Sequence, residues 1–114
     1  MHELTAQELQ RMRETEEDLL VINVLAAADY REARIHGSEN VPLDRERFAD
    51  EILAKAGSKD AKVVVYCAST TCPASPRAAE KLEQAGFRRV YGFVGGIKAW
   101  REAGLPVESE LARP

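Results

Sequence analysis

The sequence has 114 residues and a mass of 12.6 kDa, the size of one domain with one hydrophobic core. Hydrophobic residues make up 45% and charged residues 31%, a composition typical of soluble globular proteins and unlike disordered or fibrous chains. The net charge is −3 and no basic run occurs, which argues against nucleic-acid binding. The longest apolar run, 19–25, is far shorter than the roughly 20 residues that a membrane span needs, so no membrane association is predicted.

The first ten residues are polar and acidic, unlike a secretory signal or a transit peptide, and we therefore expect a cytoplasmic protein. Two cysteines, Cys67 and Cys72, are too few for a disulfide framework. Two histidines lie far from them in the sequence, so we predict neither a four-ligand metal site nor a cofactor. The role of the two thiols, structural or chemical, is then the main question.

The N-terminal third predicts one helix and one buried strand. Thr5 and Glu8 have the spacing of a capping box, so a helix should begin there and end in the acidic run 14–18. The apolar run 19–25 is continuous rather than alternating, which is typical of a strand buried on both faces of a parallel sheet.

The middle of the chain predicts shorter elements. A helical turn is expected at 28–33, and an extended piece at 41–43 follows a glycine-containing loop. Asp44 is predicted to cap a second helix, and Gly57 has the position of the glycine that ends it.

The remaining chain predicts two further strands, each followed by a helix. Four β-forming residues in a row make 62–67 the strongest strand, and 89–93 is the next. Ser75 is expected to cap the helix between them, with Pro76 at its first helical position and Gly86 just past its end.

Helices and short buried strands alternate along the chain, which predicts an α/β fold with a mostly parallel central sheet flanked by helices. We expect a single domain over 1–114, with a core at about 4–107 and a loose tail over 108–114. Gly95 and Gly96 precede the last helix, where we expect the backbone to approach the loop after the strongest strand closely.

Cys67 is predicted to be the last residue of the strongest strand. In open α/β sheets, ligands bind at the carboxyl ends of strands, and a capped helix N-terminus at Ser75 would stabilise negative charge there. We therefore expect the pKa of the Cys67 thiol to be lowered, which would make it a nucleophile. A cysteine at a strand end is also often a small buried hydrophobe. Cys72, inside the loop, is expected to be more exposed and is an alternative nucleophile, a resolving thiol or an incidental surface residue.

Several segments together resemble the single-domain rhodanese-like sulfurtransferases. They are LLVINVL followed by DYREARIHGSENVPL, then VVVYC, RAAEKLEQAGF and VYGFVGGIKAWREAGLPV, in the order and spacing of that family. The resemblance runs from about residue 19 to residue 107. It implies a three-layer rhodanese-like sandwich.

The resemblance also implies a reaction. Cys67 would accept a sulfane sulfur as a persulfide and pass it to a thiophilic acceptor in two half-steps. The donor would be thiosulfate or a low-molecular-weight persulfide, and the acceptor a thiol, cyanide or a sulfur-carrier protein. The expected substrate-binding loop consists of Ala68, Ser69, Thr70, Thr71, Cys72, Ala74, Ser75 and Arg77.

The active-site loop departs from the family pattern, which places an arginine five residues after the cysteine. Here Cys72 has that position, and on a helix-based alignment Ala74 stands where the arginine would be. Cys72 and Arg77 reproduce the spacing, but Pro73 directly after Cys72 has no N–H to contribute, so we prefer Cys67 as the nucleophile. The missing arginine weakens the case for the thiosulfate dianion as donor.

A further departure lies upstream, where the family's aspartate-valine-arginine reads Asn23-Val24-Leu25. The charge pair of that motif is lost, and we expect an apolar substitute. Two other function classes stay open: a non-catalytic binding or regulatory module of the same fold, and a reversible Cys67–Cys72 disulfide with a redox role. Phosphatase chemistry is disfavoured because it needs a cysteine followed by five residues and then an arginine, and neither cysteine has that spacing.

Overall fold

The continuous apolar runs form the centre of a five-stranded parallel sheet in the computed structural model, which describes residues 1–110. The strands in chain order are β1 His2–Glu3, β2 Leu20–Asn23, β3 Arg34–Ile35, β4 Glu39–Asn40, β5 Lys62–Tyr66, β6 Arg89–Phe93 and β7 Val107–Glu108. The helices are α1 Ala6–Thr15, α2 Ala27–Glu32, α3 Phe48–Ala56, α4 Ala74–Gln84 and α5 Gly96–Glu102. The sheet has the order β1-β6-β5-β2-β4, and every pair in it is parallel.

Both faces of this sheet are covered, which explains why its strands are apolar without alternation. Along β5, Val63 and Val65 pack into one core cluster with residues of α3 and α4. Val64 and Tyr66 point to the opposite face and pack into a second cluster with residues of α1 and α5. The result is the predicted α/β sandwich of helices, parallel sheet and helices. No helix within residues 1–110 is long and apolar enough to cross a membrane.

Local helix signals were correct at the first helix and at the end of the third. The Thr5 hydroxyl accepts a hydrogen bond from the Glu8 N–H (3.1 Å), and the Glu8 carboxylate accepts one from the Thr5 N–H (2.8 Å), which completes the capping box. Gly57 ends α3 with a left-handed backbone, φ +81°. Both features depend only on neighbouring residues, so the sequence is sufficient to locate them.

The two predicted side-chain caps at Asp44 and Ser75 are wrong. The segment after Asp44 forms successive turns, so α3 begins only at Phe48, and its N-cap residue makes no side-chain hydrogen bond. Helix α4 begins at Ala74, which places Ser75 inside its first turn, where the side chain is fully buried.

Two-residue strands are the elements that the sequence does not reveal, because they show no periodic pattern. β1 pairs with β6 at the sheet edge, and β3 pairs with β7 in a separate antiparallel ribbon. The expected extended piece at 41–43 continues from β4 along the end of β2. There, the N–H groups of Val41 and Leu43 donate to carbonyl oxygens of Asn23 and Val24 (both 3.0 Å).

The predicted loose tail is wrong for its first residues. Glu108 lies in β7, and its carboxylate accepts a hydrogen bond from Arg34 (3.4 Å) and contacts the His36 ring (2.5 Å). Arg34 also donates to Glu110 (2.6 Å). Residues 111–114 lie outside the described part of the chain.

Candidate active site

Cys67 follows β5 directly, at the carboxyl end of the central strand of the sheet. The strand ends at Tyr66, one residue before the predicted end. The loop then turns sharply, with the Cys72 N–H donating to the Ser69 carbonyl (3.1 Å), before α4 begins at Ala74. The loop thus folds back over Cys67, which is 0% exposed, whereas Cys72 is only partly buried.

The side chains of the intervening loop residues face outward to different degrees. Ala68, Thr70 and Thr71 are exposed, and Ser69 is partly buried with its hydroxyl 3.0 Å from that of Thr71. Arg77 is exposed on the first turn of α4 and forms no ion pair with any residue that the structure describes. The residues of the predicted loop therefore lie around Cys67, but Arg77, the one cation among them, stays in solvent.

Gly96 confirms the expected close approach of the last helix to this loop. Its backbone is left-handed (φ +63°), and a Cβ there would press on the Cys67 carbonyl oxygen and lie 2.7 Å from the Ala68 carbonyl carbon. The next two N–H groups of α5, those of Ile97 and Lys98, donate to the carbonyls of Cys67 and Ala68 (both 3.0 Å). The N-terminus of α5 therefore holds the start of the active-site loop in place.

The first turn of α4 has two N–H groups that donate to no backbone carbonyl of the described chain. Pro73 and Pro76 have none, and the Arg77 N–H donates to the Pro73 carbonyl (3.3 Å). The N–H groups of Ala74 and Ser75 remain. These are the donors that the positive end of the helix offers to a negatively charged sulfur.

The Cys67 thiol is held in its neutral form. Burial raises its pKa, and so does its interaction with the Cys72 side chain, whereas the hydroxyl and the N–H of Ser75 lower the pKa by less. The thiol donates a hydrogen bond to the Cys72 carbonyl oxygen (3.4 Å), a contact that only the protonated sulfur can make. The predicted lowering of the Cys67 pKa is therefore wrong, because the fold buries this sulfur away from water.

The Cys72 thiol has the opposite tendency. Partial burial raises its pKa, but the interaction with the Cys67 thiol and the N–H groups of Ala74 and Ala68 outweigh this and lower the pKa below its ordinary value. The two cysteines thus form an interacting pair in which negative charge is favoured on the outer sulfur, that of Cys72, and disfavoured on the inner sulfur, that of Cys67.

Ser75 has an unusual position beside this pair. Its hydroxyl is fully buried and has no hydrogen-bond partner within residues 1–110. A buried hydroxyl without a partner costs free energy, and such groups in folded proteins are found more often where function requires them. The Ser75 hydroxyl favours negative charge on the Cys67 sulfur.

A buried hydrogen-bond network supports β5 just before Cys67. The Tyr66 hydroxyl accepts from the Asn23 amide (3.1 Å) and from the Ile35 N–H (3.0 Å), and lies 2.6 Å from the Ser38 hydroxyl. The Asn23 side chain also accepts from the Leu25 N–H (2.9 Å). The expected apolar substitute for the charge pair is therefore wrong at Asn23. Neutral hydrogen bonds of Asn23 stand in place of the charge pair. The partners lie far apart in sequence, so no local signal could have identified them.

A groove of about 650 Å³ adjoins the loop at Ala68. Charged side chains of both signs line the groove. The cations are Lys98 and Arg101, and the carboxylates are Asp29, Glu32 and Glu102. Neither cysteine lines the groove. Its mixed charge suits a ligand with both ammonium and carboxylate groups better than a simple dianion.

Comparison with known proteins identifies the family. Residues 5–103 match the family described as Rhodanese-like domain, and the chain belongs to that family. A sulfurtransferase of Allochromatium vinosum is 33% identical over 98 residues, covering 86% of this chain and 85% of its own. The thiosulfate sulfurtransferase GlpE of Actinobacillus pleuropneumoniae is 32% identical over 83 residues, covering 70% of each chain.

A solved structure gives the same result for the fold. The BH2092 protein of Bacillus halodurans superimposes with a TM-score of 0.81 at 30% identity, over 96% of this chain and 78% of that one. The rhodanese-like three-layer arrangement expected from the sequence is thus confirmed, together with membership of a family whose relatives are named sulfurtransferases.

Proposed function

We propose that this protein is a sulfurtransferase that carries a sulfane sulfur as a persulfide on Cys67. The observation that carries the proposal is the position of Cys67. It lies at the carboxyl end of the central strand, with the N–H and the unpartnered hydroxyl of Ser75 beside its sulfur. The names of the two relatives support the same class of reaction.

The reaction has two half-steps and needs no cofactor. In the first, a bond forms between a site sulfur and the outer sulfur of the donor, and the rest of the donor leaves with the electrons of the broken bond. In the second, a thiol or cyanide attacks the terminal sulfur of the persulfide and releases the Cys67 thiolate. The Ser75 hydroxyl and N–H stabilise the charge that develops on sulfur in both steps.

A low-molecular-weight persulfide is the proposed donor in preference to thiosulfate. Arg77 is the only cation on the first turn of α4 and points into solvent, so no positioned arginine holds a dianion at the thiols. The groove next to Ala68 contains carboxylates as well as cations, which disfavours a small dianion and suits a peptide-like thiol. We propose a thiol, cyanide or a sulfur-carrier protein as the acceptor, in the cytoplasm.

Mass spectrometry of the intact protein tests the proposal. Wild type, Cys67→Ala and Cys72→Ala are incubated with glutathione persulfide and, separately, with thiosulfate. We expect the wild type to gain one sulfur atom, about 32 Da. This sulfur should map to Cys67 and be removed by cyanide, and steady-state transfer should be lost in Cys67→Ala. A wild-type protein that gains no sulfur from either donor would show that the proposal is wrong and would leave the binding-module and redox roles.

A disulfide-based redox role is the second candidate, because the two thiols interact directly. Oxidation would then remove two hydrogen atoms, about 2 Da, in a reversible reaction that either single alanine variant abolishes. The same spectra distinguish this role from sulfur transfer, since one reaction lowers the mass and the other raises it.

A further inference from the structure

The sulfur that would carry the persulfide cannot be reached from solvent in this structure. Cys67 is 0% exposed, and the loop over it ends in Cys72, which is partly exposed. A donor approaching the site therefore meets the Cys72 sulfur first. A persulfide donor is larger than a water molecule, so it can meet the Cys67 sulfur directly only when the loop shifts, whereas Cys72 is accessible with the loop in place.

The two sulfur atoms are also prepared for an exchange between them. The Cys67 thiol donates to the Cys72 carbonyl and interacts with the Cys72 sulfur, so its proton already lies on the side of Cys72. The N–H groups of Ala68 and Ala74 favour negative charge on Cys72, as the thiolate that attacks a donor requires.

A second, independent feature indicates that the transferred sulfur ends on the inner cysteine, Cys67. The Ser75 hydroxyl is fully buried, has no partner in the described chain and lies on the Cys67 side of the pair. A persulfide anion on Cys67 would accept its hydrogen bond. The neighbouring neutral sulfur offsets only part of the free energy lost by burying this hydroxyl, and a negatively charged sulfur at the inner site would recover more of it.

We propose that Cys72 is a second catalytic residue, which takes the sulfane sulfur from the donor at the surface and passes it inward to Cys67. This inference rests on the proposed function, since it describes how the sulfur reaches its carrier. It gives the second loop cysteine a role in the reaction.

Both steps of the relay balance without an oxidant or a reductant. First, the Cys72 thiolate bonds to the outer sulfur of R–S–SH, the donor S–S bond breaks, and R–S⁻ leaves with its electron pair. Second, the Cys67 sulfur bonds to the outer sulfur of the Cys72 persulfide and gives up its proton. The S–S bond to Cys72 then breaks, and the Cys72 sulfur takes the electron pair and that proton. The products are a Cys67 persulfide and a Cys72 thiol.

Rapid-quench mass mapping tests the relay. Wild type, Cys72→Ser, Cys67→Ser and the exposed α4 variant Glu80→Gln are mixed with glutathione persulfide, alkylated at successive times and digested. We expect the wild type to carry sulfur first on Cys72 and then on Cys67, and Cys67→Ser to retain it on Cys72. Loading of Cys67 should slow about tenfold or more in Cys72→Ser, because the remaining buried thiol is mostly protonated. Glu80→Gln should load as the wild type does.

Three results would overturn the relay while leaving the proposed function intact. They are loading of Cys67 in Cys72→Ser at the wild-type rate, no persulfide on Cys72 in Cys67→Ser, and a wild-type product that releases sulfide and is about 2 Da lighter than the reduced protein. A wild-type protein that gains no sulfur at either cysteine would instead overturn the proposed function itself. Thermal unfolding of each variant establishes that a slower reaction does not come from unfolding. Cys72→Ala, measured beside Cys72→Ser, checks that the slower loading comes from the loss of the thiol.

Discussion

Two buried serines give the sharpest test of how this site is built, because the same substitution should change stability in opposite directions. Ser38 and Ser75 are both buried, at 6% and 0% exposure. The Ser38 hydroxyl donates to the Ile35 carbonyl (2.8 Å) and lies 2.6 Å from the Tyr66 hydroxyl. The Ser75 hydroxyl has no partner among residues 1–110. Replacing each with alanine removes one oxygen atom and changes little else.

The expected free energies follow from these contacts. Ser38→Ala loses two hydrogen bonds worth about 0.5–1.5 kcal/mol each, so the free energy of unfolding should fall by about 1–3 kcal/mol. Ser75→Ala loses none and removes a hydroxyl whose unpartnered burial costs about 1–3 kcal/mol in proteins. We expect Ser75→Ala to be about 1 kcal/mol more stable than the wild type, since the neighbouring sulfur offsets part of that cost.

Urea unfolding of the reduced proteins measures these differences, and persulfide loading of Cys67 provides the functional readout. Loading at a fixed donor concentration should fall about ten- to a hundredfold in Ser75→Ala, because a hydrogen bond to a charged sulfur contributes about 1.5–3 kcal/mol. Ser38→Ala, once corrected for its folded fraction, should load normally. If Ser75→Ala is destabilised as much as Ser38→Ala, the Ser75 hydroxyl contributes to stability rather than to function, and the reasoning is refuted.

Three further predictions concern the loop and its support. Gly96→Ala should cost about 2–5 kcal/mol, since left-handed strain of about 1–2 kcal/mol adds to overpacking against the loop backbone. Gly57→Ala, with nothing within 4 Å, should show the strain alone in the same urea experiment. Tyr66→Phe removes a hydroxyl with three partners and should lower the free energy of unfolding by about 2–4 kcal/mol; an unchanged value would contradict the network. Mass-mapped alkylation of Cys72 over a range of pH should show a pKa below that of an ordinary thiol, and Cys67→Ala should shift this pKa upward, because the interaction with the Cys67 thiol is lost.

The elements that the sequence predicted well are those whose signals are local. The runs that became β2 and β5 were apolar and rich in β-formers, and their continuity indicated burial on both faces. The capping box at Thr5 and the left-handed glycine at Gly57 involve only near neighbours. Even the close approach at Gly96 was predictable, because a glycine pair before a helix has few other structural reasons.

The chemical states of the two cysteines were not predictable in this way. A cysteine placed between a strand and a helix N-terminus suggested a lowered pKa at Cys67, but that argument assumed access to water. Tertiary structure determines whether the loop covers the sulfur, and here burial outweighs the helix and raises the pKa. The same loop leaves Cys72 partly exposed among hydrogen-bond donors that lower its pKa. The thiol with the lowered pKa is therefore Cys72 and not Cys67.

The sequence by itself therefore determined the class of fold, the strand at whose end the chemistry lies, and the two thiols available for it. Only the tertiary structure decided which thiol has the lower pKa, which hydroxyl lacks a partner and what replaces the family's charge pair. The physical reason is the distance along the sequence over which each interaction acts. Apolar patterning and helix caps act over a few residues, whereas burial and hydrogen bonds such as Asn23 to Tyr66 depend on segments 43 residues apart that the packed sheet brings together.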